Sequence, residues 1–154
     1  MVTVADMTSF TWQDPESIRF MLEDCETWAV VGLSGDPMRT AYGVSAWLQA
    51  MGKRIVPIHP RLDTLDGAST VLGEQGYPTL ADVPFPIDVV DVFRRSSAAG
   101  QFADEAVQVG ARGVWLQLGV IDAAAFERTT RAGLPMVMDT CPKIEWPKLA
   151  RRPA

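Results

Sequence analysis

Cysteine and histidine are scarce in this 154-residue sequence, which contains two cysteines and one histidine. Cys25 and Cys141 lie far apart and form no C-x-x-C pair, a pattern that indicates free thiols in a cytoplasmic protein. His59 has no cysteine or carboxylate cluster at metal-ligand spacing, so we expect no metal site. No apolar run approaches the roughly 20 residues that a membrane-spanning helix needs. Residues 1–10 also lack the basic region of a signal peptide, so neither a membrane nor an export role is expected.

Positive charge is also in short supply, because 14 lysines and arginines face 19 acidic residues and leave a net charge of -5. A general nucleic-acid-binding protein would usually be basic, so a nucleic-acid partner is not expected. A local cationic pocket for a small anionic ligand remains compatible with this balance. The hydrophobic content of 47% and the length are typical of one globular domain with a single core.

Apolar segments alternate with amphipathic ones along most of the chain. Strands are predicted at 28–31, 54–58, 87–93, 113–116 and 135–138, and helices from Asp14 to about 25 and at 41–51, 97–109 and 122–132. An irregular connection covers 59–86, with a short helical piece near 79–83. The alternation predicts a Rossmann-like, doubly wound α/β domain: a mostly parallel five-stranded sheet with helices on both faces. We expect a helical extension over 1–26 and the domain proper over 27–150.

The most informative segment is the loop from Gly32 to Arg39, which lies between the first predicted strand and the following helix. A buried strand followed by a small-residue loop and a helix directs free backbone N–H groups and the positive helix end at one point. Such an arrangement binds phosphate. In doubly wound sheets, ligands bind beyond the carboxyl ends of the strands, near the point where strand order reverses. The residues that follow each strand are therefore the candidate site.

Two familiar phosphate-binding patterns do not fit this loop. A nicotinamide dinucleotide site has G-x-G-x-x-G and then a carboxylate for the ribose, whereas the loop here reads Gly32-Leu-Ser-Gly35. The second strand is followed by His59-Pro60-Arg61, without a carboxylate. Arg61 suits an additional ribose phosphate, which could be the 2′-phosphate of NADP or the 3′-phosphate of coenzyme A. A P-loop is also unsupported, because no G-K-[ST] occurs.

Six short segments, in this order, match a known family. They are Val30–Ser34 with Arg39 and Tyr42–Val44, then 56–60, 77–82, 88–96, 114–119 and 137–143. Across residues 27–149 the chain resembles the small single-domain coenzyme A-binding proteins, which are related to the CoA-binding domain of succinyl-CoA synthetase. The resemblance implies the predicted fold and coenzyme A as the ligand.

The resemblance also implies site residues. It places Gly32, Leu33, Ser34 and Arg39 around the diphosphate of coenzyme A. Gly32 can adopt the conformation of a sharp strand exit, the Ser34 hydroxyl can donate, and the Arg39 guanidinium can bind phosphate oxygens through two N–H groups. Asp36 lies in the same loop, where a carboxylate is unfavourable unless it points to solvent.

Further implied contacts come from the second and third strands. Pro60 is expected to flank the nucleotide, and Phe93 and Arg94 to line the cleft, with Arg94 or its neighbour Arg95 pointing inward. His59 and Arg61 are candidate ligand contacts beside Pro60.

The remaining candidates lie elsewhere along the same edge. Tyr42 and Gly43 begin the helix after the loop, and Gly43 would allow the sheet or a ligand to approach closely. Gln117 and Gly119 follow the fourth strand and are candidates for polar contacts. Cys141 follows the last strand near Lys143, where a cation would make a thiol more reactive. Under oxidation it could then form a mixed disulfide with the thiol of coenzyme A.

The sequence therefore predicts a protein that binds coenzyme A or an acyl-CoA and is not a catalyst on its own, since no specific nucleophile–base pair occurs. A homodimer is compatible with the sequence. Two alternatives stay open: an NADP-dependent oxidoreductase with Arg61 on the 2′-phosphate, and a regulatory or scaffold domain with a vestigial nucleotide pocket.

Overall fold

The predicted strands form one parallel sheet in the computed structural model, which describes residues 12–60 and 70–149. The strands in the described residues are β1 (Thr27–Val31), β2 (Arg54–Ile58), β3 (Thr70–Val71), β4 (Glu74–Gln75), β5 (Val89–Val92), β6 (Gly113–Leu116) and β7 (Met136–Val137). Five of them pair in the order β2-β1-β5-β6-β7, all parallel, while β3 and β4 form a separate antiparallel pair. The predicted fold class is confirmed.

Helices cover both faces of this sheet. They are α1 (Pro15–Arg19), which continues as a π-helical turn over Phe20–Asp24, α2 (Thr40–Ala50), α3 (Ser96–Gln108), α4 (Ala123–Arg131) and α5 (Pro142–Leu149). A short 3-10 helix spans Leu80–Asp82. Helices α3 and α4 bury alanines and Phe126 on the face formed by Val90, Val92 and Leu116. Helices α1, α2 and α5 pack on the opposite face. No helix in the described part of the chain is long and apolar enough to cross a bilayer.

Two aspartates cap helices where the sequence predicts them. The carboxylate of Asp14 accepts a hydrogen bond from the backbone N–H of Ser17 at 3.1 Å, and Pro15 occupies the first position of α1. The carboxylate of Asp122 accepts from the N–H of Ala125 at 3.0 Å. Each cap satisfies a backbone donor that has no partner within the helix.

Proline within a strand has a clear explanation here. Pro57 lies in β2, which is at the edge of the five-stranded sheet. An edge strand can accommodate proline because one side of its ladder needs no N–H donor. The carbonyl of Pro57 still accepts a hydrogen bond from the N–H of Tyr77, which covers part of this edge.

Helix α5 and the β3–β4 pair are not predicted by the sequence pattern, and β7 has two residues instead of the expected four. Pro147 within α5 removes a helical hydrogen bond and hides the helical periodicity. Tertiary contacts hold α5 in place: Trp146 packs edge-on against Trp47 of α2, with ring centroids 6.4 Å apart. Local propensity is therefore a poor guide to this segment.

Strand order reverses between β1 and β5. The chain leaves β1 through α2 to reach β2 on one side, and later elements add β5, β6 and β7 on the other. The connection that leaves β1 runs to one side of the sheet, and the connection that leaves β5 runs to the other. A crevice therefore opens between the carboxyl ends of β1 and β5.

Candidate functional site

A cavity of about 410 Å³ opens at this crevice. It is lined by residues that follow β1, β2 and β5. They are Gly32, Ser34, Arg39, His59, Phe93, Arg94 and Arg95. The sequence analysis proposes each of them for the site, with Arg95 as the alternative to Arg94. Residues more than 60 positions apart in the chain are thus brought to one point by the parallel sheet.

Gly32 makes the strand exit possible. Its φ of +98° is a conformation that residues with a Cβ rarely adopt. A Cβ built there would lie 3.5 Å from the Arg94 Cδ atom, so the arginine side chain packs directly over the glycine. The Gly32 N–H donates to the carbonyl of Ile58 at 2.8 Å and is not available to a ligand. Gly32 therefore shapes the floor of the cavity, and other groups must supply the hydrogen-bond donors for a ligand.

The two long helices that begin at the cavity are not capped by side chains. Helix α2 begins after Arg39 and α3 begins after Arg95, and neither arginine makes a side-chain cap hydrogen bond. Neither helix has an acidic residue in its first turn. By contrast, Asp14 and Asp122 cap α1 and α4. The helix ends at the cavity thus keep their positive electrostatic potential, and an arginine precedes each of them.

Backbone N–H groups without a hydrogen-bond acceptor occur in the loop after β1 and at the start of α2. Within the described residues, the N–H groups of Ser34 and Gly35 have no hydrogen-bond acceptor, and neither do those of Thr40 and Ala41 at the start of α2. Unsatisfied donors at a helix start together with a preceding small-residue loop form an anion-binding arrangement. Its geometry suits phosphate oxygens.

Arginines supply the charge around the cavity. The Arg39 guanidinium lies 3.8 Å from the Asp36 carboxylate, and both side chains are largely exposed. Asp36 also accepts a hydrogen bond from the N–H of Met38 at 2.9 Å, so its carboxylate stabilises the loop. Neither Arg94 nor Arg95 forms an ion pair with any residue in the described ranges. Since exposed contacts at 3.8 Å are weak, all three arginines remain able to bind an anion.

A second hollow of about 180 Å³ adjoins the cavity, and Gly32 and Arg94 line both. Pro60 and Pro78 form part of its wall, together with Phe102. The hollow thus has apolar walls beside Arg94, and Thr79, Gln101 and Glu105 also line it. Its composition suits an aromatic ring that carries a phosphorylated group.

Several predicted site residues lie outside both hollows. Leu33 and Cys141 are buried in the core between the sheet and α1, α2 and α5, so neither of these two candidates is open to the cavity. Tyr42 is half-buried against the same core. Gly43 is exposed, and a Cβ built on it would meet no atom within 4 Å. The expectation that Gly43 allows close approach of the sheet is therefore wrong, and its role toward a ligand stays a prediction.

Gln117 and Gly119 lie in the next loop along the edge. The side chain of Gln117 is 5% exposed, and its Oε1 atom has no hydrogen-bond partner within the described residues. Gly119 has a φ of +85°, and its N–H donates to the Asp139 carboxylate at 2.8 Å. The Ser96 hydroxyl donates to the Gly119 carbonyl at 3.4 Å, which links this loop to the start of α3.

Two further outcomes concern charged residues. Arg61 lies outside the described residues, so its predicted role stays a prediction. Arg94 and Arg95 both line the cavity, whereas the sequence analysis expects one of the two to point inward. In residues 12–60 and 70–149 no group of three or more histidine, cysteine or carboxylate side chains could hold a metal ion.

The sequence pattern of a protein family described as a CoA binding domain matches residues 26–147. The chain belongs to this CoA-binding domain family. The match includes every element from β1 to most of α5, and hence all the residues that line the cavity.

Individual relatives match the chain over most of its length. The protein YneT of Bacillus subtilis (strain 168) is 34% identical over 127 residues, which cover 82% of this chain and 90% of YneT. The structure of a hypothetical protein from Pyrococcus horikoshii OT3 has a TM-score of 0.80 and 30% identity, covering 91% of this chain and 94% of that one. A Thermus thermophilus protein has a TM-score of 0.78 and 32% identity, covering 89% and 99% of the two chains. The chain is thus similar to these proteins over nearly their whole length.

Proposed function

We propose that this protein binds coenzyme A or an acyl-CoA, and that it does so without catalysing a reaction on its own. The ligand's diphosphate would lie in the larger cavity, with Ser34, Arg39 and Arg94 as its main side-chain contacts. The adenine would lie in the smaller hollow against Pro60. Membership of the CoA-binding domain family supports the choice of ligand.

The observation that carries the proposal is the absence of capping at the cavity. In the described chain, aspartates cap α1 and α4, while α2 and α3 begin uncapped beside Arg39 and Arg95. A side-chain cap contributes about 1 kcal/mol to helix stability, so its omission at two neighbouring helices has a cost. A bound diphosphate would accept hydrogen bonds from those helix ends and offset that cost.

The ionisable side chains of the cavity also favour binding over catalysis. They are three arginines and His59. Arginine stays protonated at neutral pH and cannot act as a general base. The three arginines neutralise phosphate charge and do not transfer protons, and His59 is the member of this set that could do so. Both cysteines are free thiols, which supports a cytoplasmic location.

The test is isothermal titration calorimetry of the full chain with coenzyme A. It uses variants that should change the Kd in opposite directions. Arg94→Ala should raise the Kd at least tenfold, because a hydrogen bond to a charged group contributes about 1.5–3 kcal/mol. Asp36→Asn should lower the Kd about twofold to threefold, since it removes a negative charge near the phosphates and keeps an acceptor for the Met38 N–H. Arg131→Ala is the matched control, because Arg131 is exposed at the far end of α4.

Three results would contradict the proposal. Equal weakening by Arg94→Ala and Arg131→Ala would place the ligand elsewhere. Thermal stabilisation by NADPH, with none by coenzyme A, would favour the oxidoreductase alternative. A ligand at 100 times its Kd should add about 2.7 kcal/mol to the free energy of unfolding, so no stabilisation by either nucleotide would favour a vestigial pocket.

A further inference from the structure

Ser96 is the first residue of α3, and its side chain bonds to a different part of the chain. The Ser96 hydroxyl accepts a hydrogen bond from the N–H of Ile121 at 2.9 Å and donates to the carbonyl of Gly119 at 3.4 Å. A serine at the start of a helix commonly accepts from an N–H group of its own helix instead. Because this hydroxyl bonds to the loop after β6, the N–H groups at the start of α3 stay open to a ligand.

The loop that Ser96 contacts is itself held at two further points. The N–H of Val120 donates to the carbonyl of Gln117 at 2.8 Å, which closes a four-residue turn directly after β6. The N–H of Gly119 donates to the Asp139 carboxylate, which follows β7, at 2.8 Å. Since the loop is hydrogen-bonded both within itself and to the next strand exit, it gives Ser96 a fixed support.

The residue before Ser96 is Arg95, which lines the cavity. Its carbonyl accepts hydrogen bonds from the N–H groups of Ala98 and Ala99 at 2.9 and 3.0 Å, so the Arg95 backbone belongs to the first turn of α3. No residue in the described ranges forms an ion pair with the Arg95 guanidinium. The direction in which this side chain leaves the backbone therefore depends on how the first turn of α3 is held.

Fixing the backbone below a long cationic side chain strengthens its binding to an anion. Arginine loses rotamer freedom when it binds, and any further ordering of its backbone adds to that cost. A backbone that is already held in the free protein avoids the second part of the cost. The hydroxyl of Ser96 can thus improve binding at the cavity although Ser96 is not among the residues that line it.

We propose that Ser96 is a positioning residue of the anion site. Its hydroxyl ties the first turn of α3 to the loop after β6, and so holds Arg95 in place for the ligand's diphosphate. This inference rests on the proposed function. The adjacent Ser97 is exposed and has no such tie among the described residues, so it has no corresponding role.

The test is isothermal titration calorimetry of the full chain with coenzyme A. Ser96→Ala should raise the Kd about threefold to tenfold, which corresponds to the contribution of one neutral hydrogen bond. Ser96→Thr keeps the hydroxyl and should stay within about twofold of the parent, as should the matched control Ser97→Ala. In an Arg95→Ala background, Ser96→Ala should change the Kd by less than about twofold, because the side chain that it positions is then absent.

Hydrogen exchange measures the tie itself without a ligand. The N–H of Ile121 donates to the Ser96 hydroxyl, so its exchange should be about fivefold faster in Ser96→Ala and unchanged in Ser97→Ala. Urea denaturation shows that each variant is folded under the conditions of the titration. A purely structural role of Ser96 would change this exchange rate and leave the Kd for coenzyme A as it is.

The outcomes separate this inference from the proposed function. Failure of coenzyme A to bind the parent chain would overturn both. If the parent binds coenzyme A and Ser96→Ala leaves the Kd unchanged, the inference alone is overturned. The same holds if Ser97→Ala weakens binding as much as Ser96→Ala does. A full effect of Ser96→Ala in the Arg95→Ala background would also overturn it, since Ser96 would then not act through Arg95.

Discussion

The Asp139 carboxylate accepts a hydrogen bond from the backbone N–H of Gly119 at 2.8 Å and so joins the loop after β6 to the loop after β7. Asp139 itself has a φ of +62°, in the left-handed region that aspartate tolerates better than most residues. The Gln13 side chain donates to the Asp139 carbonyl at 2.9 Å, which adds the N-terminal segment to the same junction. One aspartate thus holds two adjacent loops at the candidate ligand edge.

Substitutions at Asp139 should separate the contribution of its hydrogen bond to Gly119 from that of its left-handed backbone conformation. Asp139→Ala removes the acceptor and introduces a residue that tolerates the left-handed conformation less well than aspartate, so we expect the free energy of unfolding to fall by about 2–3 kcal/mol. Asp139→Gly removes the acceptor but relieves the strain, and should cost about 1 kcal/mol. Asp139→Asn keeps both features and should lie closest to the parent. Urea denaturation measures all three, and a loss for Asp139→Asn equal to that for Asp139→Ala would contradict the assignment.

A buried carboxyl group should make stability depend on pH. Asp91 lies in the centre of β5 between Val30 and Trp115, fully buried, with no hydrogen-bond partner for either oxygen among the described residues. Burial raises the pKa of the Asp91 carboxyl well above its ordinary value. The folded state therefore binds this proton more tightly than the unfolded chain, and folding is favoured while the group stays protonated.

The resulting prediction concerns the difference in free energy of unfolding between the parent chain and Asp91→Asn. Because the folded pKa is raised, stability from this group is complete below the unfolded pKa of about 3.9 and is lost as pH rises toward the folded pKa. The parent should thus lose up to about 1.4 kcal/mol per pH unit relative to Asp91→Asn above that point. Urea denaturation between pH 4 and pH 8 measures this; parallel curves would show that Asp91 does not titrate in this way.

Gly43 offers a test of ligand approach that is independent of folding. It lies in α2 with open space where a Cβ would be, so Gly43→Ala should stabilise the protein by about 0.5–1 kcal/mol. Gly100 of α3 provides the contrast, because a Cβ there would lie 2.6 Å from the Oδ2 atom of Asp122. Gly100→Ala should therefore lose stability. If Gly43→Ala is more stable yet binds coenzyme A more weakly, the ligand approaches this glycine.

A buried acid holds α5 against the sheet. The Thr140 hydroxyl donates to the Glu145 Oε2 atom at 2.6 Å, and the Lys148 ammonium lies 3.3 Å from the same oxygen. Thr140→Val keeps the shape and removes the donor, so the free energy of unfolding should fall by about 1.5–3 kcal/mol. Thr140→Ser retains the hydroxyl and should lose about 1 kcal/mol or less. Equal losses would show that methyl packing, and not the hydrogen bond, is what matters at this position.

Much of the fold follows from local sequence signals. The alternation of apolar runs and amphipathic segments, the aspartate caps at Asp14 and Asp122 and the strand-exit glycine at Gly32 each depend on near neighbours in the chain. Helix α5 follows no such signal, since Pro147 interrupts its pattern and its stability comes from Trp47 and the Thr140–Glu145 contact. Long-range packing cannot be seen in a window of a few residues.

The candidate site likewise has one part that the sequence predicts and another that only the tertiary structure determines. Residue order alone places Ser34 and Arg39 after the first predicted strand and Arg94 after the third, and a parallel sheet must then bring them to one edge. The depth to which each side chain is packed was decided by the assembled core: Cys141 and Leu33 turn inward, while Arg95 and Leu118 face the solvent. The orientation of a side chain beyond a strand depends on which helix covers it and on which loops are hydrogen-bonded to each other. Those are properties of the packed chain, and they fix where charge and apolar surface meet.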